Sequence, residues 1–238
     1  MLQFRPLVKL FLLTLSIHTL FASDDKLNRL KTLAVNDVED QAKLIQVMVD
    51  KIFSFGELGF QELETSKYLT EILENNGFRV EKGISGIPTA WMAEWGKGKP
   101  VIALGSDIDG IPKSSQKPGV AFHDPIIEGA PGHGEGHNSG QAVIVVAAIV
   151  VKNIMEKENI KGTIRIWPGV AEELVATKAY FVRDGYFKDV DACIFTHVSS
   201  NLSTSHGQGG GNGLISVEYT FQGKTCLLYT SPSPRDRG

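Results

Sequence analysis

Cysteine is scarce: the 238 residues contain two, Cys193 and Cys226. Cys226 falls in a carboxyl-terminal stretch of different character, so one thiol remains in the body of the chain and a disulfide framework within it is excluded. Basic charge is scarce as well. The chain carries 24 Lys and Arg against 27 Asp and Glu, a net charge of −3. Setting aside Arg5, Lys9, Arg235, Arg237 and Asp236, all in the two ends, leaves 20 basic residues against 26 acidic ones, a net charge of −6. The positive footprint that binds nucleic acid is absent. There is no internal repeat. The hydrophobic share of 42% is ordinary for a soluble globular protein, and the length allows one sizeable core, or one domain and part of another.

The ends differ from the body. Residues 1–21 carry Arg5 and Lys9, then the run "LFLLTLSIHTLF", followed by Ala22, Ser23 and at once "DDK". This is the three-part layout of a secretory signal peptide. Ser16 and His18 interrupt the apolar run, which is shorter than the ~20 residues a membrane span needs. Residues 1–23 are therefore expected to be a cleaved leader, leaving an exported protein without a membrane span. An uncleaved anchor competes, because the small-residue cleavage signature is imperfect. At the other end "CLLYTSPSPRDRG" (residues 226–238) breaks an alternating strand pattern with Ser, Pro and Arg. It resembles one reading frame of a transposon-end sequencing adapter, and the natural reading frame is then expected to be interrupted near Thr225. A disordered tail of Pro/Ser composition is the alternative.

Between the ends, hydrophobic periodicity outlines the elements. Apolar residues from Leu27 to Ile52 recur at three- to four-residue steps, which predicts one or two amphipathic helices over 24–55. "QELETSKYLTEILENNG" predicts a helix over 61–76, stopped by Asn-Asn-Gly. "FRVEKG", "TAWMAEWG" and "PVIALGSDID" read as strands. The apolar "QAVIVVAAIVVKNIMEKENI" has the length of a buried helix, with Asn138 and Ser139 as candidate caps. "TIRIWPG" reads as a strand, "EELVATKAYFVRDG" as a helix and "DVDACIFTHV" as a strand. Helices alternating with continuous apolar strands predict an α/β fold with a mostly parallel, buried sheet and flanking helices. "GGGNGLISVEYTFQGKT" reads as a glycine hinge and an alternating strand opening a second domain.

Four stretches fall at or just after strand ends, where α/β sheets place their ligands. "SDIDGIP", "GHGEGHN", "PGVAEE" and "THV" supply Asp107, Asp109, His133, Glu135, His137, Glu172, Glu173 and His197. Carboxylates and imidazoles without a thiolate suit Zn²⁺, Mn²⁺ or Co²⁺. Each stretch alone also has a plainer reading. His-x-Glu-x-His is more often a polar loop than a site, adjacent glutamates are common at solvated helix starts, and His197 is as readily a hydrogen-bonding core histidine as a ligand.

In order and spacing, "DIDGIP", "GAPGHGEGHN", "WPGVAEEL", "YFVRDGYFKDVDACIFTHV" and the strand ending "FQGKT" resemble the M20 family of metallopeptidases and amidohydrolases, over about residues 44–224. Within it the aminobenzoyl-glutamate hydrolase branch is most similar. The resemblance implies a zinc-peptidase-like catalytic domain over 24–208 and the start of a smaller α+β lid or dimerisation domain over 209–225. It makes Glu135, His137, Glu173 and His197 metal ligands, with two divalent ions, Zn²⁺ or Mn²⁺ and Co²⁺ also compatible. Glu172 becomes the general base that activates water at the metal for hydrolysis of an amide bond. Asp109 matches an acidic residue supporting the site from behind the ligands. Asp107 stands where many relatives have a histidine ligand, and His133 matches a histidine not usually counted as one. The implied substrate is an N-acyl or N-aroyl amino acid or a dipeptide, and the full-length protein is expected to pair as a homodimer through the lid.

There are two departures. Many relatives have cysteine where Glu135 stands; a carboxylate is a harder donor, can bridge two ions and resists oxidation. The family's last histidine ligand follows the lid, so this chain is expected to lack one ligand and to be inactive alone. The altered donor also motivates a competing expectation, a metal-binding scaffold without catalysis. A phosphate-cradling loop at "GQGGGNG" lacks the Lys-Ser/Thr and the following helix such a loop requires. His123 and His206 read as loop residues.

Overall fold

The computed structural model describes residues 24–174, 177–207, 215 and 217–223. The leader expected over 1–23, the tail over 226–238 and residues 208–214 of the glycine hinge lie outside these. The chain divides into two compact units, Met1–Leu202 and Ser203–Gly238. In the second unit the described residues are exposed and carry no regular secondary structure. The strand expected in "GLISVEYTFQGKT" is therefore not formed among its described residues. An alternating segment needs a neighbouring strand for its N–H and C=O groups, and the pattern alone does not provide one.

The long amino-terminal periodicity resolves into two helices, α1 (residues 24–40) and α2 (Ala42–Phe55), broken at Gln41. α2 buries Met48 and Ile52 completely. It ends at Gly56 in the left-handed conformation, whose N–H donates to Ile52 O. α3 (Leu63–Asn75) buries Leu69 and Leu73, the matching positions of its apolar stripe. Among the described residues five strands follow: β1 (Arg79–Lys82), β2 (Trp91–Lys97), β3 (Val101–Asp107), β4 (Gly162–Gly169) and β5 (Ala192–Phe195). α4 (His137–Glu158) lies between β3 and β4, and α5 (Thr177–Asp184) between β4 and β5.

The sheet order is β1-β2-β4-β3-β5. β3 runs parallel to both β4 and β5, while β2 pairs antiparallel with β1 and β4. Connection length explains the mixture. A parallel neighbour needs a crossover, and α4 and α5 provide the two crossovers; β1 and β2 are joined by a short loop that can only reverse the chain. The parallel half is thus the part the helix–strand alternation predicts, and β1 and β2 extend it antiparallel.

α4 is long and apolar enough to cross a membrane by composition, but half of its apolar window is buried in the protein. It packs on α2, β3 and β4. It begins at His137, ahead of the expected caps Asn138 and Ser139, and the Ser139 hydroxyl donates back to Gly136 O at 2.8 Å. Two expectations need correction. The helix expected over 172–185 is split into a 3-10 turn, Glu172–Leu174, and α5, with residues 175 and 176 outside the described ones. The strand expected as buried in "DVDACIFTHV" is the four-residue β5, exposed throughout, with Ile194 54% accessible. Among the described residues β5 has one neighbour, β3, so an apolar composition suited to a sheet interior sits at the edge of the described sheet.

β3, β4 and β5 end side by side: Asp107 is level with Gly169, and Gly105 with Phe195. Whatever follows these strands emerges along one rim of the sheet, the place where ligands of open α/β sheets bind.

Candidate metal centre

At the end of β3 the chain presents Asp107, its last residue, and just past it Asp109, both 1% exposed. Past β4 it turns through Ala171 into Glu172 and Glu173; past β5 it reaches His197. The glycine loop delivers Glu135 and His137, the latter the first residue of α4 and itself buried. Gly136 makes this convergence possible. Its φ of +69° belongs to the left-handed region, and a Cβ there would lie 2.7 Å from Val198 Cγ1. A side chain at 136 would push away the segment that carries His197.

The donors form two sets. Asp107, His137 and His197 bring ligand atoms within 4.8 Å of one another, and so do Glu135, His137 and Glu173. His137 Nδ1 donates to the backbone O of Asp109 at 2.9 Å and lies 3.3 Å from Asp109 Oδ1. Its free Nε2 faces His197 Nε2 at 3.3 Å. Two nitrogens each about 2.05 Å from one tetrahedral Zn²⁺ stand about 3.3 Å apart, so this spacing fits two ligands of one ion. Glu135 Oε2 is 3.6 Å from His197 Nε2, which places this carboxylate between the two sets.

Asp109 Oδ2 accepts the backbone N–H of Glu173 at 2.9 Å. One buried aspartate thus fixes both the ring of His137 and the turn that carries Glu173. Asp107 Oδ1 is 2.7 Å from Lys178 Nζ, and the same ammonium lies 4.5 Å over the Phe195 ring.

Electrostatics favour a cation here. Burial, then the Glu135 and Asp109 carboxylates, push the Glu173 carboxyl up. Burial pushes Asp107 up too, against the pull of Lys178. Burial alone would lower His137, but its bonds to Asp109 and the charge of Asp107 hold its imidazole up to about 9. Glu173 Oε1 is buried without a hydrogen-bond partner, and Asp109 Oδ1 is approached by His137 Nδ1 at 3.3 Å. Crowded carboxylates, two facing imidazole nitrogens and a buried unpaired oxygen fit a divalent ion bound through oxygen and nitrogen. Cys193 belongs to neither set.

The four ligands expected from the sequence, Glu135, His137, Glu173 and His197, all come together. Glu172 lies beside Glu173 on the 3-10 turn and in neither donor set. His133 points away: its Nε2 is 3.0 Å from Ile52 O, which also accepts the Gly56 N–H at the end of α2. Sequence reasoning left Asp107 without a place in a donor set and missed the approach of Lys178, because nothing local in either segment records that Lys178 of α5 reaches the end of β3.

A rim of carboxylates and imidazoles beyond the ends of parallel strands is the architecture of a zinc-peptidase-like catalytic domain. No protein-family model matches the chain. It is 37% identical over 185 residues to a subunit of the p-aminobenzoyl-glutamate hydrolase of Escherichia coli, covering 78% of this chain and 38% of that protein. It is 32% identical over 172 residues to thermostable carboxypeptidase 1 of Saccharolobus solfataricus, covering 70% and 42% respectively. Among solved structures it resembles a dinuclear metal-binding peptidase of the M20 family from Bacillus subtilis, with TM-score 0.56 and 25% identity over 68% of this chain and 45% of that one. Over the span these alignments cover, the chain belongs to the M20 family of metallopeptidases and amidohydrolases. It spans less than half the length of these relatives.

Proposed function

We propose that the protein hydrolyses the amide bond of an N-acyl or N-aroyl amino acid, or of a dipeptide, at a centre of two divalent ions, Zn²⁺ or Mn²⁺. The observation that carries this reading is the pair of donor sets meeting at His137, with Glu172 next to them. His137, His197 and Asp107 would hold one ion. Glu135 and Glu173 would hold the other, with Glu135 reaching between the two.

When bound, the ions supply Lewis-acid polarisation of the scissile carbonyl and make water more acidic. Glu172 takes the proton of the attacking water and returns it to the leaving amine. Its place on a short turn beside a ligand suits this role, because the turn holds the two carboxylates at a fixed offset while their duties differ. Asp109 keeps His137 and Glu173 oriented through its backbone O and Oδ2. Lys178 offsets the charge of Asp107 at the rim. The leader read at residues 1–23 supports export as part of the same proposal.

The test uses a protein extended to the length of the family, with p-aminobenzoyl-glutamate and N-acyl amino acids as substrates. Glu172→Gln should lower kcat by about 10²–10⁴-fold while the metal content stays unchanged. Unaltered turnover in that variant would remove Glu172 from the reaction.

A further inference from the structure

Glu62 is a carboxylate with no solvent exposure that the proposed reaction does not use. It stands just ahead of α3, remote in sequence from every donor. Its Oε1 accepts the backbone N–H of Ala171 at 2.7 Å, and its Oε2 is buried without a partner. Ala171 is 1% exposed and has φ +49°, a left-handed conformation that a residue with a Cβ adopts only when its surroundings impose it. The O of Ala171 accepts the N–H of Leu174 at 3.2 Å. The turn holding Glu172 and Glu173 is therefore closed at Ala171, and its entrance is tied to Glu62.

The anchor is itself held. Both oxygens of Glu57 accept backbone N–H groups of α3, from Glu64 and Thr65, at 2.9 Å. Glu57 O accepts the N–H of Gly110, next to Asp109, at 2.7 Å. Gly59 lies so close to Ala171 that a Cβ on it would stand 2.9 Å from Ala171 Cα and Cβ. Residues 57–62 thus brace from behind both acid-bearing segments, the one with Asp109 and the one with Glu172 and Glu173. Burial is the main cause that raises the Glu62 carboxyl, and the nearby Asp109 adds to it. A buried carboxylate beside other carboxylates is a costly choice for mere core filling.

We propose that Glu62 is a positioning residue: by holding Ala171 in its left-handed conformation it presents Glu173 to the metal and Glu172 to the water. This rests on the metal-centre reading above. The experiment is a Co²⁺ titration of the 238-residue chain, followed by the visible absorption of the ion, with folding checked by circular dichroism. Glu62→Gln, which keeps an acceptor for the Ala171 N–H, should bind Co²⁺ within about threefold of the unsubstituted chain. Glu62→Met, similar in size but without the acceptor, should bind about 10-fold or more weakly. If Glu62 acts through Glu173, the double variant Glu62→Met/Glu173→Gln should bind no more weakly than Glu173→Gln alone. If Glu62→Met does not fold, Glu62→Asp, too short to reach Ala171, takes its place under the same criteria. A folded variant with unchanged affinity, or losses that simply add, overturns the positioning role and leaves the metal centre standing. No Co²⁺ uptake by the unsubstituted chain overturns the metal centre and the positioning role together.

Discussion

His137 and His197 face one another through their Nε2 atoms at 3.3 Å, their rings 76° apart in an edge-to-face arrangement. Neither nitrogen gains by this approach unless a proton or a metal ion lies between them, since two lone pairs otherwise oppose. His137 is buried and oriented by Asp109, whereas His197 is exposed. Zn²⁺ binding followed by calorimetry should therefore weaken more in His137→Ala, which removes the preoriented ligand, than in His197→Ala. Equal losses would argue against the preorganisation of His137.

Asp109 is a support whose loss should be felt twice. Asp109→Ala removes the acceptor of the Glu173 N–H and one restraint on His137. The expected cost is about 1–3 kcal/mol of stability for the unpaired amide, with a 10–100-fold loss of metal affinity. Denaturant unfolding of the metal-free chain measures the first and metal titration the second. A variant that loses stability but keeps full affinity would make Asp109 structural only.

Gly136→Ala and Gly129→Ala separate backbone strain from crowding. Both glycines have positive φ, +69° and +72°, but a Cβ at 129 meets nothing within 4 Å while one at 136 meets Val198. Gly129→Ala should cost about 1 kcal/mol from backbone conformation alone. Gly136→Ala should cost more and should also weaken metal binding, because displacing Val198 displaces His197. Equal unfolding midpoints for the two variants would show that the crowding at 136 relaxes freely.

Acid should loosen the approach to β5. Arg165, on β4, donates to both oxygens of Asp189, at 2.6 and 2.9 Å, and also to Glu94 on β2. The Arg165 guanidinium holds the Asp189 carboxyl below the usual carboxylate range, against a small opposing effect of burial. A depressed pKa contributes stability that is complete above the unfolded value of about 4 and is lost as the pH falls below it. The Asp189 side chain is 55% exposed, so the contribution at neutral pH is expected to be only about 0.5–1 kcal/mol. In denaturant unfolding, Asp189→Asn should be less stable than the unsubstituted chain at neutral pH, and the gap should close toward pH 3. A gap independent of pH would contradict the charge-based account.

Much of the framework is legible along the chain. Regular apolar spacing marks α2 and α3, since burial of one face imposes that period locally; the length of its apolar run marks α4, and short apolar runs between Gly and Pro mark β1 to β4. The order of acid- and histidine-bearing segments after strands was also visible and offered eight candidates, from which the family resemblance singled out Glu135, His137, Glu173 and His197. The break of the 172–185 segment into a turn and α5 was not. It depends on Ala171 being held left-handed by Glu62, and an alanine carries no local signal for that conformation.

The sequence by itself determined most of the segments that form helices and strands and which side chains stand at the strand ends, because those follow from periodicity and from the chemistry of each residue. Only the tertiary structure decided that β2 joins the sheet antiparallel beside β4, that Asp107 shares a donor set with the two histidines, and that His133 turns away toward Ile52. It alone revealed that Glu62, inside an ordinary polar helix start, lies buried behind the turn of Glu172 and Glu173. The physical reason is common to all four: each depends on contacts between segments far apart in the chain, and their pairing is set by how the sheet and helices pack.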